Sequence, residues 1–293
     1  MFKNIIAFRA SEDLKLDDLN KQLKKRIFSP IGSHDAISIG FVPYSDDMDL
    51  VHSASGVKVG ALRIDKKSIP GSAVKQIVKE RAVALESQQG FPPGRKQMRS
   101  IKEDVLATLL PKVIPTTKII RFMLWSDLLA IESSSGASAD VVLGEMAKCL
   151  DPFPFSPILL QMSPSSCMTS WLLQDEISEL FTIDDEAEMK SADDRKSSVR
   201  WKNQPIDSEE ATEHHKSGKQ VIKMAMTWRD KISFTLNEKF VFGRVRQTDI
   251  LTARTEDEVD VGDADATIAL EGGELHGLIT DLIEVLGGEF KND

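Results

Sequence analysis

Lysine and arginine side chains are concentrated in one part of this chain, between residues 58 and 122. That segment holds 14 Lys/Arg and 5 Asp/Glu, a local charge of +9. The whole chain has 37 Lys/Arg and 46 Asp/Glu, a net charge of −9, so the remaining residues sum to −18. Cationic side chains attract a polyanion and neutralise its phosphates, while a negative remainder repels it. This segregation predicts a surface that binds nucleic acid.

The carboxylates of the C-terminal part have one spacing that suggests a metal ion. The last 45 residues carry 13 Asp/Glu and 2 Lys/Arg, and Asp260 and Glu271 are spaced as the first and last ligands of a calcium-binding loop. Gly262 and Ala264, however, stand where that loop needs oxygen ligands, and Asp265 stands where its sharp turn needs glycine. We therefore expect no metal and interpret these acids as a solvated surface that keeps nucleic acid away.

Cleavage of nucleic acid would need carboxylates that converge on Mg²⁺, with a Lys or His beside them. No Asp/Glu lies between Asp104 and the strand-like run 117–125, so the basic segment has no evident cleaving centre. His214 and His215 are adjacent in a helical context, where their side chains point about 100° apart and cannot ligate one metal. Neither a GxxxxGK[ST] nor a GxGxxG motif occurs. We expect a protein that is not an enzyme and has no cofactor; a metal-dependent nuclease is the alternative that spacing alone leaves open.

Two amphipathic helices are predicted to carry most of the positive charge. Apolar residues recur at helical spacing over 69–85 and again over 101–110, and the sequence GFPPG at 90–94 cannot continue a helix. We interpret residues 69–113 as a protruding helical hairpin whose polar faces stay free. The candidate DNA-binding residues are cations of this hairpin, of the segment after it and of one later loop: Lys75, Lys79, Arg81, Arg95, Lys96, Arg99, Lys102, Lys112, Lys118 and Lys202.

Outside the hairpin the pattern alternates between strands and helices. A helix capped by Asp13 is expected near the start, and the strand-like runs between residues 221 and 246 are separated by close turn signals, which is typical of an antiparallel meander. Residues 265–270 are predicted to form a strand. The glycine pair at 272–273 is predicted to form a turn before a last helix over 274–286.

The fold class predicted from this pattern is α+β, with antiparallel-rich sheets and flanking helices. The polar, turn-rich stretch 184–194 is the best candidate for a junction. It divides the chain into an N-terminal half, 1–183, which contains the hairpin, and a C-terminal half, 184–293. A single continuous fold is the alternative.

The overall composition is that of an ordinary soluble globular protein, with 41% hydrophobic and 28% charged residues. No apolar run approaches the roughly 20 residues that span a bilayer, and the first residues lack the features of a signal peptide. We therefore expect a cytoplasmic location and no membrane partner. Cys149 and Cys167 are neither in a CxxC pair nor near a His at metal-ligand spacing, which predicts two reduced, buried thiols.

Several blocks of sequence, spread over essentially the whole chain, match one known family in the same order. They are FKN at 2–4, FSPIGSHD at 28–35, GFVP at 40–43, LLP at 109–111, MLW at 123–125, SEE at 208–210, DAD at 263–265 and LGGE at 286–289. The chain thereby resembles the RdgC family of bacterial recombination-associated proteins.

The resemblance implies a mixed α/β protein that forms a ring-shaped homodimer with a positively charged hole for duplex DNA. It also implies sequence-nonspecific, nucleoid-associated binding that restrains the recombinase RecA by competing for DNA, in recombination and replication-fork maintenance. Single-stranded DNA is a second candidate ligand, and a protein-interaction module that binds recombinase directly is a further alternative. A two-fold ring needs self-complementary surfaces, and we predict that Phe91 and Pro92 at the hairpin tip form one of them.

Overall fold

The computed structural model of the protein describes residues 1–12, 14, 18–174, 177–191, 197–206, 208–249 and 263–290. Contacts between residues divide the chain into two compact units. The larger unit comprises Met1–Leu23, Pro43–Gly60 and Ile120–Asp293, and the smaller unit comprises Lys24–Val42 and Ala61–Ile119.

The elements alternate along the chain as an α+β protein requires. The strands are β1 (Ile5–Ala10), β2 (Ile37–Val42), β3 (His52–Ala54), β4 (Val57–Lys66), β5 (Thr116–Leu124), β6 (Leu128–Ile131), β7 (Phe155–Pro157), β8 (Phe181–Ser191), β9 (Ser198–Lys202), β10 (Lys219–Trp228), β11 (Ile232–Asn237) and β12 (Val241–Gln247). The helices are α1 (Leu19–Leu23), α2 (Gly71–Gln89), α3 (Arg95–Leu109), α4 (Gly136–Ala147), α5 (Pro164–Gln174), α6 (Ser208–Lys216) and α7 (Ala264–Val285), with single 3-10 turns at Lys24–Arg26 and Leu110–Lys112.

A large antiparallel sheet forms the larger unit. Its strands follow the order β5-β6-β1-β12-β11-β10-β8-β9, with β7 beside β1 and β3 beside the start of β4. Strands β10, β11 and β12 are consecutive neighbours, with Met224 opposite Leu236 and Leu236 opposite Phe242. All three of these side chains are fully buried. The predicted meander and the α+β class with antiparallel sheet are thus confirmed.

Helix α7 packs its apolar face into the core of the larger unit, where Leu275 and Leu282 are fully buried. The helix begins after Asp263, whose side chain accepts a hydrogen bond from the backbone N–H of Ala266 (3.0 Å). The prediction of a strand over 265–270 is therefore wrong. The β-branched residues of that segment lie inside the helix, because the N-cap and the buried face outweigh their local preference for a strand.

Glycines inside α7 allow close approach to neighbouring elements. A Cβ on Gly272 would lie 2.7 Å from a methyl group of Val57, and a Cβ on Gly277 would lie 3.1 Å from the Trp228 ring. A Cβ on Gly273 would have no atom within 4 Å. The prediction that Gly272 and Gly273 form a turn in front of the helix is wrong, because this glycine pair lies within α7 and one member serves packing.

The stretch predicted to be a turn-rich junction is mostly strand. β8 pairs with β10 and β9, but its register against β10 shifts, so that residues 184–186 stand opposite Ala225. The shift is a bulge, which interrupts the alternation of polar and apolar residues. The end of the predicted stretch, 192–194, and the predicted cap Asp13 lie outside the described residues. A division into halves 1–183 and 184–293 stays a prediction.

The smaller unit contains β2, the second part of β4, and helices α2 and α3. β2 runs antiparallel to β4, with Ile39 opposite Ile64. The segment around Phe28 lies alongside β2 in a parallel bridge, with Ile27 opposite Phe41, and the backbone N–H of Phe28 donates to the carbonyl of Phe41 (2.9 Å). A Cβ on Gly40 would lie 2.4 Å from the Phe28 Cα, so glycine is required where the two segments meet.

Among the described residues, no helix is long and apolar enough to cross a bilayer. Cys149 and Cys167 are buried and are not joined in a disulfide bond, which confirms the prediction of reduced, buried thiols. Burial also raises the pKa of the Cys167 thiol, because it disfavours the charged thiolate.

Candidate nucleic-acid interface

The smaller unit carries the positive charge of the chain. It contains 15 Lys/Arg and 6 Asp/Glu, a net charge of +9. The larger unit contains 22 Lys/Arg and 40 Asp/Glu, a net charge of −18. The charge contrast along the sequence is therefore also a contrast between two structural units.

Helices α2 and α3 contact each other along their apolar stripes. Val74 of α2 and Val105 of α3 are buried, and Ile77, Leu85 and Ile101 are partly buried. Most other positions of both helices are exposed to solvent. The pair therefore presents a large polar surface for its length.

The turn between the two helices is held by side-chain amides. Gly90 ends α2 in the left-handed region (φ 80°), and its N–H donates to the carbonyl of Glu86. At the start of α3 the Gln97 side chain accepts a hydrogen bond from the N–H of Gly94 (2.9 Å) and donates one to the Gln89 side chain (2.9 Å). The role of these glutamines was not predicted, although Gln three residues after an N-cap is a sequence signal for such a contact.

All ten predicted DNA-binding side chains are exposed. They are distributed as follows: Lys75, Lys79 and Arg81 on α2, Arg95, Lys96, Arg99 and Lys102 on α3, Lys112 in the 3-10 turn after α3, Lys118 in β5, and Lys202 at the end of β9. The first nine belong to the smaller unit, and Lys202 belongs to the larger unit. The hairpin tip residues Phe91, which is 59% exposed, and Pro92 are also at the surface.

Most of these cations have no carboxylate partner. Arg99 donates from Nε to the Glu103 carboxylate one turn away (2.9 Å). Within the described ranges, the following make no ion pair: Lys75, Lys79, Arg81, Arg95, Lys96, Lys102, Lys112 and Lys202. An unpaired, hydrated cation can bind a phosphate without first breaking an ion pair, so these side chains are available to a polyanion.

Two other cations of the smaller unit serve the fold instead. Arg63 donates to both oxygens of the buried Asp65 (2.9 Å each) and lies over the Phe28 ring, 4.5 Å from its centroid. Lys67 is buried and donates to the carbonyls of Gly32 and Ser33 (2.7 and 2.8 Å).

The Arg63 hydrogen bond and a second one from Thr117 hold the pKa of the Asp65 carboxyl below its usual value, against an opposing effect of burial. Arg63 and Asp65 are two apart on one strand and so share a face, which is the sequence signal that would have identified this pair.

Carboxylates also line a cleft of about 450 Å³ in the larger unit. Asp184, Asp185 and Glu186, from the bulged part of β8, form one side, and Arg244 and Arg246 of β12 form another. Arg244 has a positive φ (51°), at a second register shift, between β11 and β12. The two bulges thus aim charged side chains into one cleft.

The carboxylates of this cleft differ in their surroundings. Burial raises the pKa of Asp184, opposed by a hydrogen bond from Thr227 (3.0 Å). Hydrogen bonds from Arg200 (2.8 Å) and Arg244 (2.7 Å) lower the pKa of Glu186. Glu186 therefore connects strands β8, β9 and β12. In the described part of the chain, no three His, Cys, Asp or Glu side chains converge as a metal ion would require.

Comparison with known proteins identifies the family. A family model described as "RdgC: Putative exonuclease, RdgC" matches residues 1–289. The chain belongs to the RdgC family. Relatives named "Recombination-associated protein RdgC" include those of Cupriavidus necator, 37% identical with 99% of both chains covered, and Cupriavidus pinatubonensis, 36% identical with 99% of both chains covered. The RdgC of Bordetella parapertussis is 35% identical over 98% of both chains. The family resemblance found in the sequence is confirmed.

Proposed function

We propose that this RdgC family member is a sequence-nonspecific DNA-binding protein that acts by occupying DNA and not by catalysis. In this proposal two copies form a ring around duplex DNA and limit the access of the recombinase RecA, in recombination and replication-fork maintenance. Family membership and the names of the relatives support a role connected with recombination.

The observation that carries the proposal is the set of exposed, unpaired cations on a unit of net charge +9. Lysine and arginine neutralise phosphates and release the counterions condensed on DNA, which favours binding regardless of base sequence. The remaining charge of −18 disfavours DNA on the larger unit and so restricts how the polyanion approaches.

Binding to a duplex of arbitrary sequence across a range of salt concentrations tests the proposal. With about 6 to 10 phosphate contacts, affinity falls on the order of 10³ to 10⁵ between 50 and 200 mM salt. Duplexes of unrelated sequence give the same curve. Affinity that does not change with salt would exclude the mechanism.

A second experiment separates DNA occupancy from direct contact with recombinase. Reversing the charge of Arg95, Lys96 and Arg99 to Glu should abolish both duplex binding and the restraint of RecA, since the one depends on the other. A protein-interaction module would lose DNA binding and still restrain RecA in an assay of strand exchange.

A metal-dependent nuclease is the alternative function, and the description of the family model as an exonuclease favours testing it. End-labelled linear DNA is incubated with the protein and Mg²⁺ or Mn²⁺, and in parallel with a chelator. Our proposal predicts intact DNA in both. Shortening that requires the metal and increases with protein concentration would establish the nuclease.

A further inference from the structure

The cations of the hairpin form rows at helical spacing. Lys75 and Lys79 are one turn apart on α2, and Arg95, Arg99 and Lys102 stand at i, i+4 and i+7 on α3. Residues at such spacings lie on one side of a helix. Each helix therefore carries one row of cations along its axis.

The two rows lie on the same side of the hairpin. With about 100° per residue, the row on α2 lies about 100 to 140° around the helix from the buried Val74. The row on α3 lies about 60 to 120° around its helix from the buried Val105, in the same rotational sense. The helices are antiparallel, because only residues 90–94 connect them, and their stripes face each other. When two antiparallel helices face each other with their apolar stripes, residues displaced from each stripe in the same rotational sense point to the same side of the pair.

The rows also complement each other in position along the hairpin. At 1.5 Å per residue, Lys75 and Lys79 lie about 6 and 12 Å from the start of α2, which is about 28 Å long. Counted back from the tip on α3, Lys102, Arg99 and Arg95 lie about 18, 22 and 28 Å from the same end. The two helices together thus present a cation about every 6 Å over about 22 Å.

The other cations of the hairpin lie in different directions. Arg81 is about 160° around α2 from Lys79, whereas Lys96 is about 100° around α3 from Arg95 and about 60° from Arg99, which puts Lys96 at the edge of the row. Both are exposed and make no ion pair within the described residues, as is true of every row member except Arg99, which pairs with Glu103.

The two glutamates of α2 also differ in the direction in which they lie around the helix. Glu86 lies on the side of Lys79, at i+7, whereas Glu80 lies about 100° away from Lys79. Both are exposed, so they form a matched pair for a test of direction.

We propose that one side of the hairpin, formed by Lys75, Lys79, Lys102, Arg99 and Arg95, is a continuous phosphate-binding track that follows one strand of the DNA. The inference rests on the proposed DNA binding and adds which side of the hairpin faces the DNA. A strand of B-DNA rises about 3.4 Å per nucleotide along the duplex axis and also winds around that axis, so a track of about 22 Å follows one strand for about three or four phosphates. Arg81 is outside the track, and Lys96 is at its edge.

Paired substitutions on α2 test the track. Lys79→Ala removes a cation from the track, and Arg81→Ala removes one two residues away on the opposite side. Binding to a 30-base-pair duplex is measured between 50 and 200 mM salt. Lys79→Ala should reduce the slope of log K against log salt by about 0.9 for each bound copy of the chain, whereas Arg81→Ala, which removes a cation that points away from the track, should reduce it by clearly less. Circular dichroism checks that both variants retain their helices.

Removal of an acid gives the opposite sign and cannot be mimicked by misfolding. Glu86→Gln should strengthen binding about 1.5- to 5-fold at low salt, the range for one exposed like-charge contact. Glu80→Gln should leave affinity unchanged.

The outcomes distinguish the track from the function on which it rests. Salt-independent binding by the unmodified protein overturns the DNA-binding proposal itself. Salt-dependent binding in which Arg81→Ala weakens affinity as much as Lys79→Ala, or Glu80→Gln strengthens it as much as Glu86→Gln, overturns the track alone.

Discussion

Alanine in place of Gly273 of helix α7 should stabilise the protein, whereas alanine in place of the adjacent Gly272 should not. Gly273 faces open space, so Gly273→Ala adds a methyl group without contact. Gly272 lies against Val57, which is buried, so Gly272→Ala forces a methyl group into an occupied volume. The two substitutions have the same effect on the unfolded chain and on helix propensity, and differ only in packing.

The magnitudes follow from these contacts. Alanine is better than glycine in a helix interior by about 1 kcal/mol, so Gly273→Ala should raise the free energy of unfolding by about that amount. At Gly272 the new Cβ would lie 2.7 and 3.2 Å from the two methyl groups of Val57. Overpacking of this kind costs about 1 to 3 kcal/mol, which cancels or exceeds the gain. We expect the two variants to differ by about 1 to 3 kcal/mol.

Urea denaturation followed by tryptophan fluorescence measures the difference, because Trp228 is buried in the same unit. The double variant Gly272→Ala with Val57→Ala checks the cause: the clash is removed, so the two changes should be less destabilising together than the sum of each alone. If Gly272→Ala stabilises the protein as much as Gly273→Ala does, the close approach of α7 to Val57 is refuted.

Three further predictions concern the smaller unit. Phe91→Asp should open the contact proposed at the hairpin tip, so that closed circular DNA is retained no longer than linear DNA; unchanged preferential retention of circles would count against a ring closed there. Asp65→Asn should cost about 1 to 2 kcal/mol at pH 7, since Arg63 loses its charged acceptor but stays partly hydrated. Because the folded-state pKa of Asp65 is lowered, this contribution is complete above the ordinary pKa of about 4 and is lost as pH falls toward the folded value, so the gap between variant and unmodified protein should close in acid. A gap that does not narrow as the pH falls below about 4 would contradict this. Gln97→Ala should cost about 1 kcal/mol by removing the acceptor for the Gly94 N–H, and faster hydrogen exchange in the first turn of α3, with unchanged DNA affinity, is the expected signature.

The regular parts of the fold were accessible from sequence because their signals are local. The meander of β10 to β12 combines apolar alternation with short turns, and helices α2 and α3 combine a clear stripe with the breaker at 90–94. The exposure of the hairpin cations follows from the same helical period. In these segments, local preference and tertiary packing agree.

The wrong predictions concern segments whose structure is determined by contacts with residues far away in the sequence. The start of α7 was predicted to be a strand because its β-branched residues and its glycine pair favour a strand and a turn when only neighbouring residues are considered. The contact that requires glycine at position 272 is with Val57, more than 200 residues away in the sequence. The polar residues 184–186 are part of β8 because Glu186 is paired with Arg200 and Arg244, and the bulge hides the alternation. Likewise, the carbonyls that bind Lys67 could not be read from a count of charges.

The separation of charge between the two units has a practical consequence for how such proteins are found. A screen that selects DNA-binding candidates by a high isoelectric point would pass over this chain, because the acids of the larger unit outnumber the cations of the smaller one. The same protein should bind an anion-exchange column and a heparin column alike, each matrix engaging a different unit.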